Sequence, residues 1–388
     1  MTAMVFLNAL GIANPLGVGK AQVTQALLTG SQAGMERRRD LIPETEITVG
    51  AVSRNLPEIP DILIQHASRN NRLMSLALDE IDHDIRAAID RYGASRVAVV
   101  MGTSTSGVGD AEPAIAHKMA TGAFPDGYRF AQQDMADLAA YVAARFGLTG
   151  PALTISTACT SSAKTLGMAR RFIRTGVCDA AIVGGADTLC KLTLNGFHAL
   201  EALSGGICNP FSANRDGINI GEGASVFVLT RDEAAIRLAG VGESSDAYHL
   251  SAPQPAGLGA EAAMRAALKD AGRAPSDLGY INLHGTATRL NDAAESAAVS
   301  RVFGQELPVS STKPMTGHML GAAGANEIAF LWLALHADGK LPPHVWDGEL
   351  DRDIPVLNFD GQRAATRAML SNSFAFGGNN ISVLLEAA

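Results

Sequence analysis

The chain has 388 residues, 47% hydrophobic and 18% charged, with 31 Lys and Arg against 39 Asp and Glu for a net charge of −8. Such a composition can bury a large core and excludes a disordered chain, and an acidic balance without a long Lys/Arg run argues against nucleic acid as the main partner. No window reaches the roughly 18 uninterrupted apolar residues of a membrane helix; Met1-Thr2-Ala3-Met4 lacks the basic start of a signal peptide, so a cytoplasmic protein without a membrane partner is expected.

In chain order, a helical stretch over 73–91 precedes the apolar strand Val97-Ala98-Val99-Val100, and a helix over 133–146 leads to the run Ala152-Leu153-Thr154-Ile155. A small-residue helix over 160–174 follows, then strands at Ala181-Ile182-Val183 and Val226-Phe227-Val228-Leu229, and helices over 261–271 and 322–337. This alternation predicts an α/β fold with largely parallel strands. The 40 glycines are scattered, as expected for many tight turns. Four cysteines, Cys159, Cys178, Cys190 and Cys208, include no C-x-x-C pair and read as neither a disulfide framework nor a metal site.

The layout repeats. Ala87–Gly93, Val97–Met101 and Gly102-Thr103-Ser104-Thr105 have counterparts in Ala266–Gly272, Tyr280–His284 and Gly285-Thr286-Ala287-Thr288. The strand entering Ser156–Cys159 corresponds to Pro308–Lys313, and the pair Ala180–Gly185 and Gly223–Thr230 to Ala368–Gly378 and Asn380–Glu386. Two halves are expected, 1–240 and 241–388, the first with extra loops near 106–130 and 186–222.

Several strand ends carry reactive side chains. Cys159 stands before the helix that starts at Ser161, where the positive end of the helix dipole is expected to lower a thiol pKa; alone, it also reads as a packed core thiol. His284 opens the Gly285–Thr288 turn, and His318 ends the Lys313–His318 loop before Gly321-Ala322-Ala323-Gly324. Either histidine also reads as a satisfied structural residue. Lys313 has a plausible partner in Glu327, and Phe374-Ala375-Phe376-Gly377-Gly378 places two rings beside a glycine pair, as gate or as core packing.

Together, in this order, these segments resemble the β-ketoacyl-acyl carrier protein synthases, condensing enzymes of the thiolase superfamily. The likeness runs from Gly11–Gly17 through Thr157–Ser162, Asn209–Ser212, Arg215–Gly217, Gly221–Ala224 and Ser244–His249 to the His284, Lys313–His318 and Phe374–Gly378 segments. It implies a duplicated thiolase-like fold of two similar mixed-sheet halves in five layers, αβαβα, and an acyltransferase that performs a decarboxylating Claisen condensation.

By the same resemblance, Cys159 carries the acyl chain as a thioester. His284 and His318 donate hydrogen bonds to the enolate left when malonyl loses CO₂. The backbone N–H groups of Cys159 and Phe376 form the second oxyanion hole. Lys313, held by Glu327, orients His318. Thr286 and Thr288 bind the pantetheine arm, and Phe374 and Phe376 gate the acyl chain. No cofactor or metal is implied, since substrates arrive on the phosphopantetheine arm of an acyl carrier protein. The expected assembly is a homodimer or a heterodimer with a ketosynthase-like subunit.

Two positions depart from the family pattern: Ala375 replaces a common glycine, and Asn379 a common threonine. Within fatty-acid, polyketide or aryl polyene biosynthesis, Ser68–Met74 is unlike the fatty-acid enzymes and looks closer to synthases of specialised pathways, such as those making aryl polyenes. Arg69 and Arg72 there are candidates for docking the acidic carrier protein. The alternative reading is a chain-length-factor subunit, against which the intact Cys159 and both histidines weigh. A degradative thiolase would be expected to carry a second reactive cysteine near its C-terminus, and no cysteine follows Cys208.

Overall fold

The computed structural model describes residues 3–388. Met1 and Thr2, read above for a targeting signal, lie outside the described residues. In the first half the strands in chain order are Phe6–Asn14, Val97–Gly102, Ala152–Ile155, Ala180–Asp187 and Gly223–Thr230, and across the sheet they run third, second, fourth, fifth, first. In the second half the strands Ile236–Ser245, Tyr280–Asn282, Val309–Ser310, Ala368–Phe374 and Asn379–Ala387 run in the same order.

The senses match as well. In each half the second strand is parallel to the third and fourth, whereas the fourth and fifth, and the fifth and first, are antiparallel. The two half-sheets touch through their first strands at a single register pair, Phe6 with Arg237. The duplication read from the sequence is therefore a duplication of topology.

Helices Ser161–Arg174 and Ala323–His336 pack on each other and on strands of both half-sheets, so they form the middle layer. Ala323–His336 is apolar almost all round, as a helix buried on every side must be. Arg69–Glu80 and Asp137–Phe146 cover the outer face of the first half, and Leu258–Ala271 that of the second. The result is the expected αβαβα stack.

Helices expected as single pieces show local differences. The 73–91 stretch is two helices, Arg69–Glu80 and Asp82–Tyr92, separated at Ile81 (φ −122°, ψ 20°), with Asp82 and Asp84 complementing the new N-terminus. The counterpart strand at 308–313 shrinks to Val309–Ser310, because Lys313–Thr316 turns helical. Among the described residues no helix is long and apolar enough to cross a membrane.

Candidate active site

Cys159 lies between the strand Ala152–Ile155 and the middle-layer helix, and Ala158 before it is held at φ +52°. Local hydrogen bonds maintain that turn: the Ser161 hydroxyl donates to the Ala158 carbonyl at 2.6 Å and accepts from the Thr157 N–H at 2.9 Å. The thiol therefore points off a rigid corner into a closed chamber that it shares with His284 and His318. His318 Nε2 is 2.9 Å from Cys159 Sγ, and the two imidazole rings meet edge to face at 5.2 Å. One nitrogen from each histidine and the sulfur all lie within 4.8 Å of one another.

The backbones behind these side chains are fixed. His318 donates its N–H to the Asn219 carbonyl at 2.7 Å and accepts from Gly221 N–H at 2.9 Å. The N–H groups of His284 and Gly285 donate to the two oxygens of buried Glu295, at 2.9 and 2.8 Å, and Asn372 donates to the same carboxylate at 3.1 Å. Asn219 and Glu295 escaped the sequence reading because their partners are backbone groups, which no residue spacing reveals. Phe197, whose ring meets Phe376 at 5.6 Å, was missed for a similar reason: it reads as one more aromatic on the helix Lys191–Ala199.

Lys313 is almost wholly buried, its ammonium 2.5 Å from Glu327 Oε1 and donating also to the carbonyl of His284. Lys313, expected to orient His318 and set the local field, bonds to the carbonyl of His284 rather than to His318 itself, while its charge acts on both imidazoles. Burial pushes Glu327 up to about 7 against the pull of Lys313. Burial, then the Lys313 charge, holds both imidazoles well below the usual histidine range, so both are neutral at pH 7.

Cys159 departs from expectation. Burial pushes its thiol up to about 12, although Lys313 and the N–H groups of Phe376 and Cys159 itself favour the thiolate. The helix-terminus argument was local, whereas the enclosure that outweighs it comes from residues distant in sequence. Activation of the sulfur therefore rests on His318 at hydrogen-bond distance rather than on a standing thiolate. The N–H groups of Cys159 and Phe376 both face the sulfur.

The chamber holds only about 20 Å³, while an outer cleft of about 380 Å³ lies beyond it. Phe376, Thr288, Asn291 and Ala202 line both spaces. Phe374 is buried inside, 6.2 Å from the His284 ring. Thr286 and Thr288 share a hydrogen bond of 3.0 Å and Asn291 donates to Thr286 at 3.3 Å, giving a polar wall along the passage. Ala375 sits at φ −103°, ψ 156°, which any residue adopts; the positive φ values fall on Gly377 (81°) and Gly378 (74°). Asn379 accepts from Lys164 at 3.0 Å.

Arg69 and Arg72, expected to dock a carrier, are engaged within the chain. Arg69 makes a two-pronged pair with the buried carboxylate of Glu222, at 2.6 and 3.2 Å. Arg72 binds Glu58 and the carbonyls of Leu56 and Pro57. A buried carboxylate needs its counter-charge, which gives Arg69 a structural task beside the expected docking.

Residues 5–235 match the profile of the β-ketoacyl synthase N-terminal domain, and residues 235–346 that of its C-terminal domain. The chain belongs to the β-ketoacyl synthase family. Among curated relatives, this synthase is 32% identical to 3-oxoacyl-[acyl-carrier-protein] synthase 2 of Staphylococcus aureus (strain COL), with 98% of each chain covered. It superposes with a TM-score of 0.96 and 44% identity on a chain of the complex between the ketosynthase ApeO and its chain length factor ApeC from Xenorhabdus doucetiae, covering 100% of this chain and 98% of that one. A chain of the ishigamide ketosynthase/chain length factor gives a TM-score of 0.91 at 27% identity, with both chains fully covered.

Proposed function

We propose that this synthase is the condensing subunit that joins a Cys159-bound acyl chain to malonyl delivered by an acyl carrier protein. The observation that carries this reading is the sealed chamber in which one sulfur and two neutral imidazoles converge, His318 Nε2 at 2.9 Å from Sγ. Sγ attacks the carrier thioester, its proton leaves with the carrier thiol, and the N–H groups of Cys159 and Phe376 hold the oxyanion. Malonyl then releases CO₂, and its enolate oxygen accepts hydrogen bonds from His284 and His318. The enolate carbon attacks the Cys159 thioester, and the sulfur departs as a thiolate that takes up one proton, with the β-ketoacyl product left on the carrier. Neutral imidazoles suit this work, since His318 has a free nitrogen to take the thiol proton and pass it to the carrier thiol, and each ring keeps one N–H for the developing charge.

The pantetheine arm passes Thr286, Thr288 and Asn291, and the reaction balances without a further cofactor. The strand Ala152–Ile155 ends the sheet and only its inner side is paired, supporting pairing with a second ketosynthase-like chain. The 44% identity to a chain of the ApeO–ApeC complex favours a chain length factor as that partner and a specialised pathway, such as aryl polyene synthesis, over fatty-acid elongation. The enzyme is assigned to the cytoplasm, in keeping with its carrier-bound substrates. The halves are taken to be 1–240 and 241–388, a division supported by Ile236–Ser245, the strand at which pairing with Asn379–Ala387 begins.

The test offers acyl-carrier and malonyl-carrier to the purified chain, alone and with a chain-length-factor-like partner. Wild type should acylate on Cys159 and condense, Cys159→Ala should take no acyl label, and Cys159→Gln should keep malonyl decarboxylation while losing condensation. Full labelling of the alanine variant, seen by intact-mass spectrometry, would overturn the mechanism.

A further inference from the structure

Asp187 ends the fourth strand of the first half and is completely buried, yet it touches no reacting atom of the proposed mechanism. Its Oδ1 accepts from the Thr103 hydroxyl at 2.7 Å, the Ser104 N–H at 2.8 Å, the Thr105 N–H at 2.7 Å and the Thr105 hydroxyl at 2.8 Å. Its Oδ2 crosses to the other half of the molecule and accepts from the Ala322 N–H at 3.0 Å. One carboxylate thus joins two segments that meet at the active site.

The first segment, the turn after the strand Val97–Gly102, reaches the nucleophile: Ser104 Oγ makes a long hydrogen bond of 3.4 Å to the carbonyl of Ala158. The second follows His318 directly and opens the helix that carries Glu327, so the carboxylate also complements that helix N-terminus. Both segments hold a non-glycine residue at positive φ, Ser106 at 44° and Leu320 at 49°, a conformation that persists only when its surroundings enforce it. No slack exists at the junction, since a Cβ on Gly321 would lie 2.8 Å from Asp187 Oδ2 and 2.6 Å from Ser104 Oγ.

We propose that Asp187 is a positioning residue that sets the separation between Cys159 and His318 by clamping the Ser104 turn and the Leu320–Ala322 turn to one carboxylate. An amide at this position would present an NH₂ group to N–H or O–H donors on one side, so at least one of the two turns must move away. The assignment rests on the condensing role for its kinetic readout; thiol alkylation tests it independently.

The experiment compares wild type, Asp187→Asn and Thr105→Val, which removes one hydroxyl donor and keeps the carboxylate. Iodoacetamide alkylation of each cysteine at pH 8 is followed by peptide mass spectrometry, alongside kcat and KM for condensation. The expected result is slower alkylation of Cys159, by at least threefold in Asp187→Asn and less in Thr105→Val, with kcat down at least tenfold and KM within twofold. Should Asp187→Asn fail to fold, the Thr105→Val rates decide alone. A purely structural role predicts the opposite, faster alkylation of Cys159 together with buried Cys190 and Cys208 as the core loosens. That outcome, or alkylation at the wild-type rate in every variant that folds, overturns the proposal; a wild-type enzyme that alkylates as expected but does not condense overturns the proposed function instead.

Discussion

Replacing Lys313 by methionine removes the ammonium and leaves the rest of the chamber in place. Glu327 then keeps its buried carboxylate with no counter-charge, since its Oε2 has no hydrogen-bond partner. Breaking a buried pair in this way costs about 3–5 kcal/mol. An unfolding entropy of about 2.1 cal/mol/K per residue gives about 0.8 kcal/mol/K for 388 residues, so Tm should fall by about 4–6 °C. The fall must depend on pH. Burial already raises Glu327 to about 7 against the opposing pull of Lys313, and losing the lysine raises it further. A carboxyl raised in the folded state binds its proton there while the unfolded chain has released it, so this contribution weakens stability as pH rises from the unfolded value toward the folded one. Lys313→Met should therefore cost little at pH 6, where folded Glu327 takes a proton, and most at pH 8.5. Differential scanning calorimetry of wild type, Lys313→Met and Lys313→Met/Glu327→Leu at both values checks this, with the double variant expected to recover most of the loss at pH 8.5. An equal loss at both values, or a double variant less stable than the single one at pH 8.5, would refute the reasoning.

Arg69→Met should lower stability by roughly 1–3 kcal/mol, by leaving the buried Glu222 carboxylate with the Val52 and Leu189 N–H groups but no counter-charge, while KM for the carrier-bound substrate stays within twofold. A raised KM at unchanged Tm would instead support the docking role. Ala375→Gly should leave the rate of Cys159 acylation within twofold in stopped-flow, because Ala375 occupies an ordinary extended conformation. A several-fold acceleration would show that gate opening needs a left-handed residue at 375.

Much of the fold was legible because duplication leaves the same signature twice. The Gly102–Thr105 and Gly285–Thr288 turns end topologically equivalent strands, and the pair Ala180–Asp187 with Gly223–Thr230 is repeated by Ala368–Phe374 with Asn379–Ala387. The reactive side chains were legible because strand ends with glycine turns mark where a side chain can be aimed. What escaped was the support beneath them. Asp187, Glu295 and Asn219 bond to backbone groups of segments brought together only by the closed fold. The break at Ile81 left no mark in the apolar spacing, and the raised Cys159 pKa reflects enclosure that no local helix argument contains.

The two halves solve one physical problem in the same way. Each places a turn after its second strand whose backbone N–H groups point inward, and each satisfies them with a buried carboxylate: Asp187 beneath Ser104 and Thr105, Glu295 beneath His284 and Gly285, with Asp292 taking Ala287. Each turn also holds a non-glycine residue at positive φ, Ser106 at 44° and Ala287 at 64°, strain of about 1–3 kcal/mol apiece that survives only under dense support. That support makes the chamber rigid where charge develops, and hydrogen bonds aimed in advance need no reorganisation during reaction. Rigidity also leaves only about 20 Å³ inside, too little for an acyl chain, so motion must enter elsewhere. Gly377 and Gly378, both at positive φ directly after Phe376, are the adjoining backbone positions with the widest freedom. On the proposed function, substrate entry and bond making fall to different parts of the chain: glycine-hinged aromatics admit the acyl group, and carboxylate-braced turns hold the atoms that react with it.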